Sequence, residues 1–155
     1  MKKVILLSML MGIGFLFAQQ SISPKASFHE FDFWLGEWNV YKFDTDTLVG
    51  YSRIETIIDS VAILENYRTS KGSYQGKSIN KFDPQTGKWD QFWVDNSGLT
   101  LKIQGELVDG NMVLGNTGNR ITWSPLEGNR VRQKWEAKQA DGSWKVVFDG
   151  EYRKK

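Results

Sequence analysis

Arg130-Val-Arg-Gln-Lys-Trp-Glu-Ala-Lys138 decides the fold. Every second residue, from Arg130 through Arg132, Lys134 and Glu136 to Lys138, is charged. The residues between them are Val131, Gln133, Trp135 and Ala137. A repeat of two is the side-chain period of a strand with one wet and one buried face. The same reading extends in both directions. Trp144, Val146, Phe148 and Tyr152 oppose Lys145, Asp149, Glu151 and Arg153, and Leu99, Leu101 and Ile103 oppose Thr100, Lys102 and Gln104. Between such segments lie nine turn signals: Asp44 to Thr47, Asp59-Ser60, Lys71 to Ser73, Asp83 to Gly87, Asn96 to Gly98, Asp109-Gly110, Asn116 to Gly118, Leu126 to Gly128 and Asp141-Gly142. Each supplies residues that tolerate a left-handed backbone or cap a turn with a side-chain oxygen. Nine turns separate about ten strands, and the connections are too short for a crossing Greek-key link. The expected fold is therefore all-β: a single antiparallel up-and-down barrel. About eight strands already enclose room for one small ligand, so ten leave more. No helical stripe follows Gly36. Phe28 to Leu35 reads equally as a short helical turn or an irregular lead-in.

The chain has 155 residues, which is one domain with a tail. Seven Trp, five Tyr and nine Phe rule out a disordered chain. With no Cys and one His, disulfides, thiol nucleophiles, Cys–zinc sites and multi-His metal sites are excluded. Residues 1–18 read as a signal peptide: Lys2 and Lys3, then an apolar run from Val4 to Phe17, then Ala18. The run is 14 residues, whereas a spanning helix needs about 20. The mature chain is thus expected to be exported, periplasmic or secreted in a bacterium, without an integral membrane segment. Residues 19–30 read as a linker or lead-in and 31–155 as the barrel. Of the 20 basic residues, Lys2 and Lys3 leave with the leader, so 18 face 18 acidic ones. A neutral chain lacks the field that draws proteins to phosphate backbones, which argues against nucleic acid as a partner.

Several polar residues fall on the expected inner face. Ser78 and Asn80 accompany Phe82, Gln91 and Asp95 accompany Trp89 and Trp93, and Glu65 shares a face with Val61, Ile63 and Tyr67. A buried polar group without a partner costs about 1–3 kcal/mol. Such groups therefore need one another, water or a ligand, and an apolar wall with a few convergent polar groups is the usual make-up of a small-molecule site. The expected ligand-binding residues are Trp38, Glu65, Asn80, Gln91, Trp93, Gln133 and Trp135, and the expected partner is a small hydrophobic or amphipathic molecule. A structural polar network without a ligand is the alternative, as is Glu65 simply pairing with Arg53. A second functional reading is an isomerase- or cyclase-like enzyme with Glu65 or Asp95 as acid/base. A third is a structural barrel with no pocket. No nucleophile elbow, phosphate loop or calcium loop is present, Asp44 and Asp46 reading as an exposed turn. No metal or cofactor is expected, and the chain is expected as a monomer or homodimer.

Gly36-Glu37-Trp38 at the first strand resembles the Gly-x-Trp signature of calycins, the superfamily of lipocalins and fatty-acid-binding proteins. That resemblance implies a Trp plugging one end of the barrel with a basic residue from the chain end packed on it. Arg153 is the candidate, although the alternation places it outside. The longer series Phe31 to Trp38, Arg53-Ile-Glu55, Leu64-Glu65-Asn66, Asp83 to Trp89, Gln91 to Asp95, Arg120 to Trp123, Val131 to Gln133 and Phe148 to Arg153 resembles a bacterial family of small, often exported proteins of unknown function. The resemblance spans nearly all of the mature chain and implies a lipocalin-like barrel without an activity. Nitrobindin-like barrels, more distant in pattern, hold haem through a late His. The single His29 precedes the first strand, so that resemblance implies no haem ligation here.

Overall fold

A computed structural model describes residues 27–155. The expected signal peptide, 1–18, and the expected linker up to residue 26 lie outside the described residues. Ten antiparallel strands follow a single 3-10 turn, Asp32–Trp34. They are β1 (Gly36–Lys42), β2 (Leu48–Ile57), β3 (Ala62–Thr69), β4 (Gln75–Asp83), β5 (Lys88–Asp95), β6 (Thr100–Val108), β7 (Asn111–Gly115), β8 (Asn119–Leu126), β9 (Arg130–Lys138) and β10 (Trp144–Lys154). Each pairs with its sequence neighbours, and β1 closes on β10 from Trp38 opposite Lys154 to Lys42 opposite Gly150. The result is a closed, lipocalin-like up-and-down barrel with no free edge. Each of the nine turn signals falls at a hairpin connection. No helix among the described residues is long and apolar enough to cross a membrane.

The charged face of β9 lies outside, as the alternation requires. Arg132 forks onto Asp149 at 2.8 and 2.7 Å, Arg130 reaches Glu151 at 2.7 Å, and Lys134 and Arg120 meet on Glu136. The alternation fails in one strand. A bulge between Val146 and Phe148 adds a residue to β10, which exchanges inside for outside on its far side. Phe148 and Tyr152 face in, but Val146 stands opposite the outer Glu136, and Trp144 lies outside beneath the Arg120 guanidinium at 4.9 Å. Leu99 is also not an inner residue; it sits in the β5–β6 turn and is exposed.

One end of the barrel is closed by rings. The lead-in carries Phe31 and Trp34 into the lumen, where Phe31 stacks on Trp34 at 5.1 Å and meets Trp89 and Trp123 edge-on at 5.6 and 5.2 Å. Trp38 lies beside Tyr152 at 6.2 Å, and its indole N–H donates to the Trp34 carbonyl at 2.9 Å. The plug begins upstream of Phe31: Phe28 packs on Phe82 at 5.5 Å, and the Trp89 indole donates to Glu30 at 3.3 Å. The basic residue on Trp38 is Lys154, with Nζ 5.0 Å from the ring centre, and not Arg153. Arg153 faces out, as strand alternation demands, over Tyr41 and against Glu151 and Asp46. Gly36 makes room for that lysine. Its φ is 135°, where a side chain is disfavoured, and a Cβ there would stand 3.1 Å from the Lys154 Nζ.

Candidate functional site

A belt of polar side chains crosses the barrel above the plug. The Gln91 amide donates to Asn80 Oδ1 at 2.7 Å, the Asn80 amide donates to Ser78 Oγ at 3.0 Å, and the Ser78 hydroxyl donates to Glu65 Oε2 at 3.2 Å. From the other side the Ser52 hydroxyl donates to Glu65 Oε1 at 2.9 Å, and the Tyr152 hydroxyl stands between Glu65 Oε1, at 3.4 Å, and the Gln133 amide oxygen. The chain of bonds thus runs over β5, β4, β3, β2, β10 and β9 and converges on one carboxyl. Period-two alternation explains why these polar groups point inward. Packed inside, each makes at least one hydrogen bond to another, since leaving a buried group unpaired costs about 1–3 kcal/mol.

Glu65 is fully buried, and burial pushes its carboxyl up to about 7, against the opposing pull of the Ser52, Ser78 and Tyr152 hydroxyls. Burial, then the Glu65 charge, raises Tyr67 to about 12, and the same two causes carry Tyr152 well above 10. Arg53 does not pair with Glu65. It stands opposite Asn66 on the outer face and holds Glu55 at 2.6 Å.

Above the belt a cavity of about 570 Å³ opens at the end opposite the plug. This volume falls in the range of small-molecule sites, roughly 300–1,000 Å³. Glu65, Gln91, Gln133 and Tyr152 form its floor. Tyr67, Trp93, Trp135 and Phe148 with Leu101 and Ile121 form its walls, and Lys42, Thr69, Asp149 and the bulge residues Val146 and Val147 lie at its mouth. Among the described residues, Gln91 Oε1, the Gln133 amide nitrogen and the Tyr67 hydroxyl have no hydrogen-bond partner in the protein, although Gln91 is only 4% exposed.

Glycines keep this lumen open. A Cβ on Gly50 would come within 2.5 Å of the Tyr67 hydroxyl, one on Gly150 within 2.5 Å of the Phe148 ring, and one on Gly76 would overlap the Trp93 indole. All three rings occupy space that a side chain on the neighbouring glycine would fill. Gly76→Ala is therefore expected to push Trp93 into the lumen, at a stability cost of about 1–3 kcal/mol. The intrinsic tryptophan emission should change, and uptake of a lipophilic probe should drop sharply while the far-ultraviolet circular dichroism stays that of a barrel.

Five of the expected binding residues line the cavity: Glu65, Gln91, Trp93, Gln133 and Trp135. Trp38 and Asn80 do not. Trp38 faces inward at the plugged end, and Asn80, wholly buried, stands behind Gln91 and orients it. Asp95 is at the rim, outside the cavity lining. It accepts from the Tyr74 hydroxyl at 2.8 Å, the Trp93 indole at 3.1 Å and the Ser97 N–H and hydroxyl at 2.9 and 2.6 Å. Burial opposes its ionised form, but the bonds from Ser97, Trp93 and Tyr74 outweigh it and hold the carboxyl well below the usual range. It anchors two mouth rings and is a poor base. His29 is exposed on the lead-in, with Nδ1 2.7 Å from Asp32. Among the described residues no three His, Cys, Asp or Glu side chains gather as a metal site.

Ser52 and Tyr152 complete the belt, and neither was among the expected binding residues. Their signal was present: Ser52 alternates with Gly50 and Ile54, and Tyr152 with Phe148 through Gly150. No family model matches the chain, and no curated protein is similar enough to match it.

Proposed function

We propose that the protein is an exported carrier that holds a small amphipathic molecule inside the barrel, with its apolar part among the rings and its polar end on the belt. The resemblance to small exported bacterial barrels and the leader-like residues 1–18 belong to this reading. The observation that carries it is the pairing of a cavity of about 570 Å³ lined by rings with a floor on which the Gln91 carbonyl has no hydrogen-bond partner among the described residues. Native mass spectrometry of protein purified from its own host is expected to show a bound small molecule, and a lipophilic fluorescent probe is expected to enter the emptied barrel. Protein that carries no adduct and takes up no probe would refute this.

A catalytic reading is favoured by one feature, the Glu65 carboxyl with a value near neutrality on the cavity floor. It requires that Glu65→Gln abolish conversion of the bound molecule without abolishing its binding.

A further inference from the structure

We infer that the buried end of the ligand is an organic ammonium, an inference that rests on the cavity being a binding site. Charge is the first argument. Among the described residues, Glu65 is the only acid on the floor, and no Lys, Arg or His lies there with it. The charged groups of the lining, Lys42 and Asp149, stand at the mouth, and Asp149 is already held by the Arg132 fork. The groups packed on Glu65 from every side are neutral: Ser52 from β2, Tyr67 from its own strand, Ser78 from β4 and Tyr152 from β10. A carboxylate ligand would face a carboxyl, with only neutral donors, the Gln133 amide and the Tyr67 hydroxyl, to receive it. A cation would supply the partner that this carboxyl lacks.

Hydrogen-bonding capacity is the second argument. An ammonium group is all donor and needs acceptors. Glu65 takes three donors from the protein and has about four acceptor positions. The Gln91 carbonyl oxygen has no partner in the protein, while one of the two amide N–H groups is given to Asn80. Tyr152 has one proton. With Glu65 ionised that proton goes to the carboxylate, and a half-turn of the Gln133 amide gives its nitrogen to the phenol oxygen and its carbonyl to the lumen. The floor then turns the Glu65 carboxylate and the carbonyls of Gln91 and Gln133 toward the lumen as acceptors.

The walls give the third. Tyr67, tilted against Trp93 at 6.4 Å and edge-on to Phe148 at 6.5 Å, shares the cavity wall with both, and aromatic walls attract an alkylammonium. Supporting this, burial holds Glu65 at about 7, so at neutral pH an entering ammonium displaces a proton from about half of the molecules, and that proton leaves to solvent.

The test uses decylamine, decanol and decanoate, which share one tail, to displace a bound neutral dye such as N-phenyl-1-naphthylamine. Decylamine is expected to bind at least about tenfold more tightly than decanol at pH 8, a margin equal to one pH unit of linked ionisation, with decanoate weakest. Its affinity should rise from pH 6 to 8 as Glu65 ionises and fall near pH 10 as the amine itself deprotonates. Calorimetry at pH 7 in two buffers of different ionisation heat should show release of roughly half a proton per decylamine bound. Glu65→Gln should bring the amine to the level of the alcohol and remove the proton release. Equal or tighter binding of decanol or decanoate to the wild-type protein overturns the inference while leaving the carrier reading intact. So does an amine preference that survives in Glu65→Gln. Failure of the dye and all three compounds to bind overturns both.

Discussion

Trp38→Ala is expected to cost the barrel about 3–5 kcal/mol, read as a lower urea midpoint at an unchanged slope. Trp38 is wholly buried, and it ties three parts of the molecule together. Its ring meets Tyr152 at 6.2 Å, its N–H holds the Trp34 carbonyl, and Lys154 lies over its face. Truncation opens a ring-sized void and leaves a buried carbonyl unpaired, which puts the loss toward the upper part of that interval. Trp34→Phe makes the contrasting control. The Trp34 indole N–H is buried with no partner, so a phenyl ring removes an unpaired donor while it gives up some contact. Its cost should be well under half of that for Trp38→Ala. Were Trp38→Ala to cost less than about 1 kcal/mol, the plug would not be what holds the closed end.

Stability should fall by about 3 kcal/mol as pH is raised from about 4.5 to about 7, because Glu65 holds its proton to about 7 in the folded barrel and to 4.5 in the unfolded chain. Between those values the folded state binds a proton that the unfolded state has released, so raising the pH favours unfolding. The penalty is complete above about 7 and absent below about 4.5. The carboxyls held below their ordinary values, Asp83, Asp95, Glu136, Asp141 and Glu151, act in the opposite sense. Their stabilisation is present above the ordinary carboxylate range and is lost as pH falls through their lowered values. Together these opposing slopes put the maximum of stability near about pH 5. Urea unfolding across pH 4 to 8 should show that decline in the wild-type protein and a nearly flat line for Glu65→Gln over the same interval. A flat wild-type profile would mean that the carboxyl is hydrated in the folded barrel.

The alternation of β9 was legible because its outer face is saturated with charge, leaving one direction for Val131, Gln133 and Trp135. The hairpin ends were legible because their turn residues have few other uses. Face is all that alternation provides, however; height along the barrel axis depends on how the strands are staggered when the sheet closes. For this reason Trp38 and Trp93, both inward, are both expected as ligand-binding residues although they lie at opposite ends. Asp95 failed similarly: it continues the inner row of Gln91 and Trp93, but the strand ends at the rim, where turn N–H groups claim the carboxylate. The β10 bulge was hidden because Trp144 and Val146 are apolar on an outer face, so the extra residue left no break in the pattern. The Glu65 to Tyr152 contact joins residues 87 apart along the chain across the lumen, which no local rule anticipates.

Both described ends of the chain emerge at the plugged pole: Phe28 and Glu30 rest on Phe82 and Trp89, and the Lys155 N–H bonds to the Glu37 carbonyl beside Trp38. The cavity faces the other way. A tether or affinity handle joined after Lys155 would therefore hang from the base of the cup and leave its rim unobstructed, so protein immobilised by that end should capture solutes as readily as free protein does.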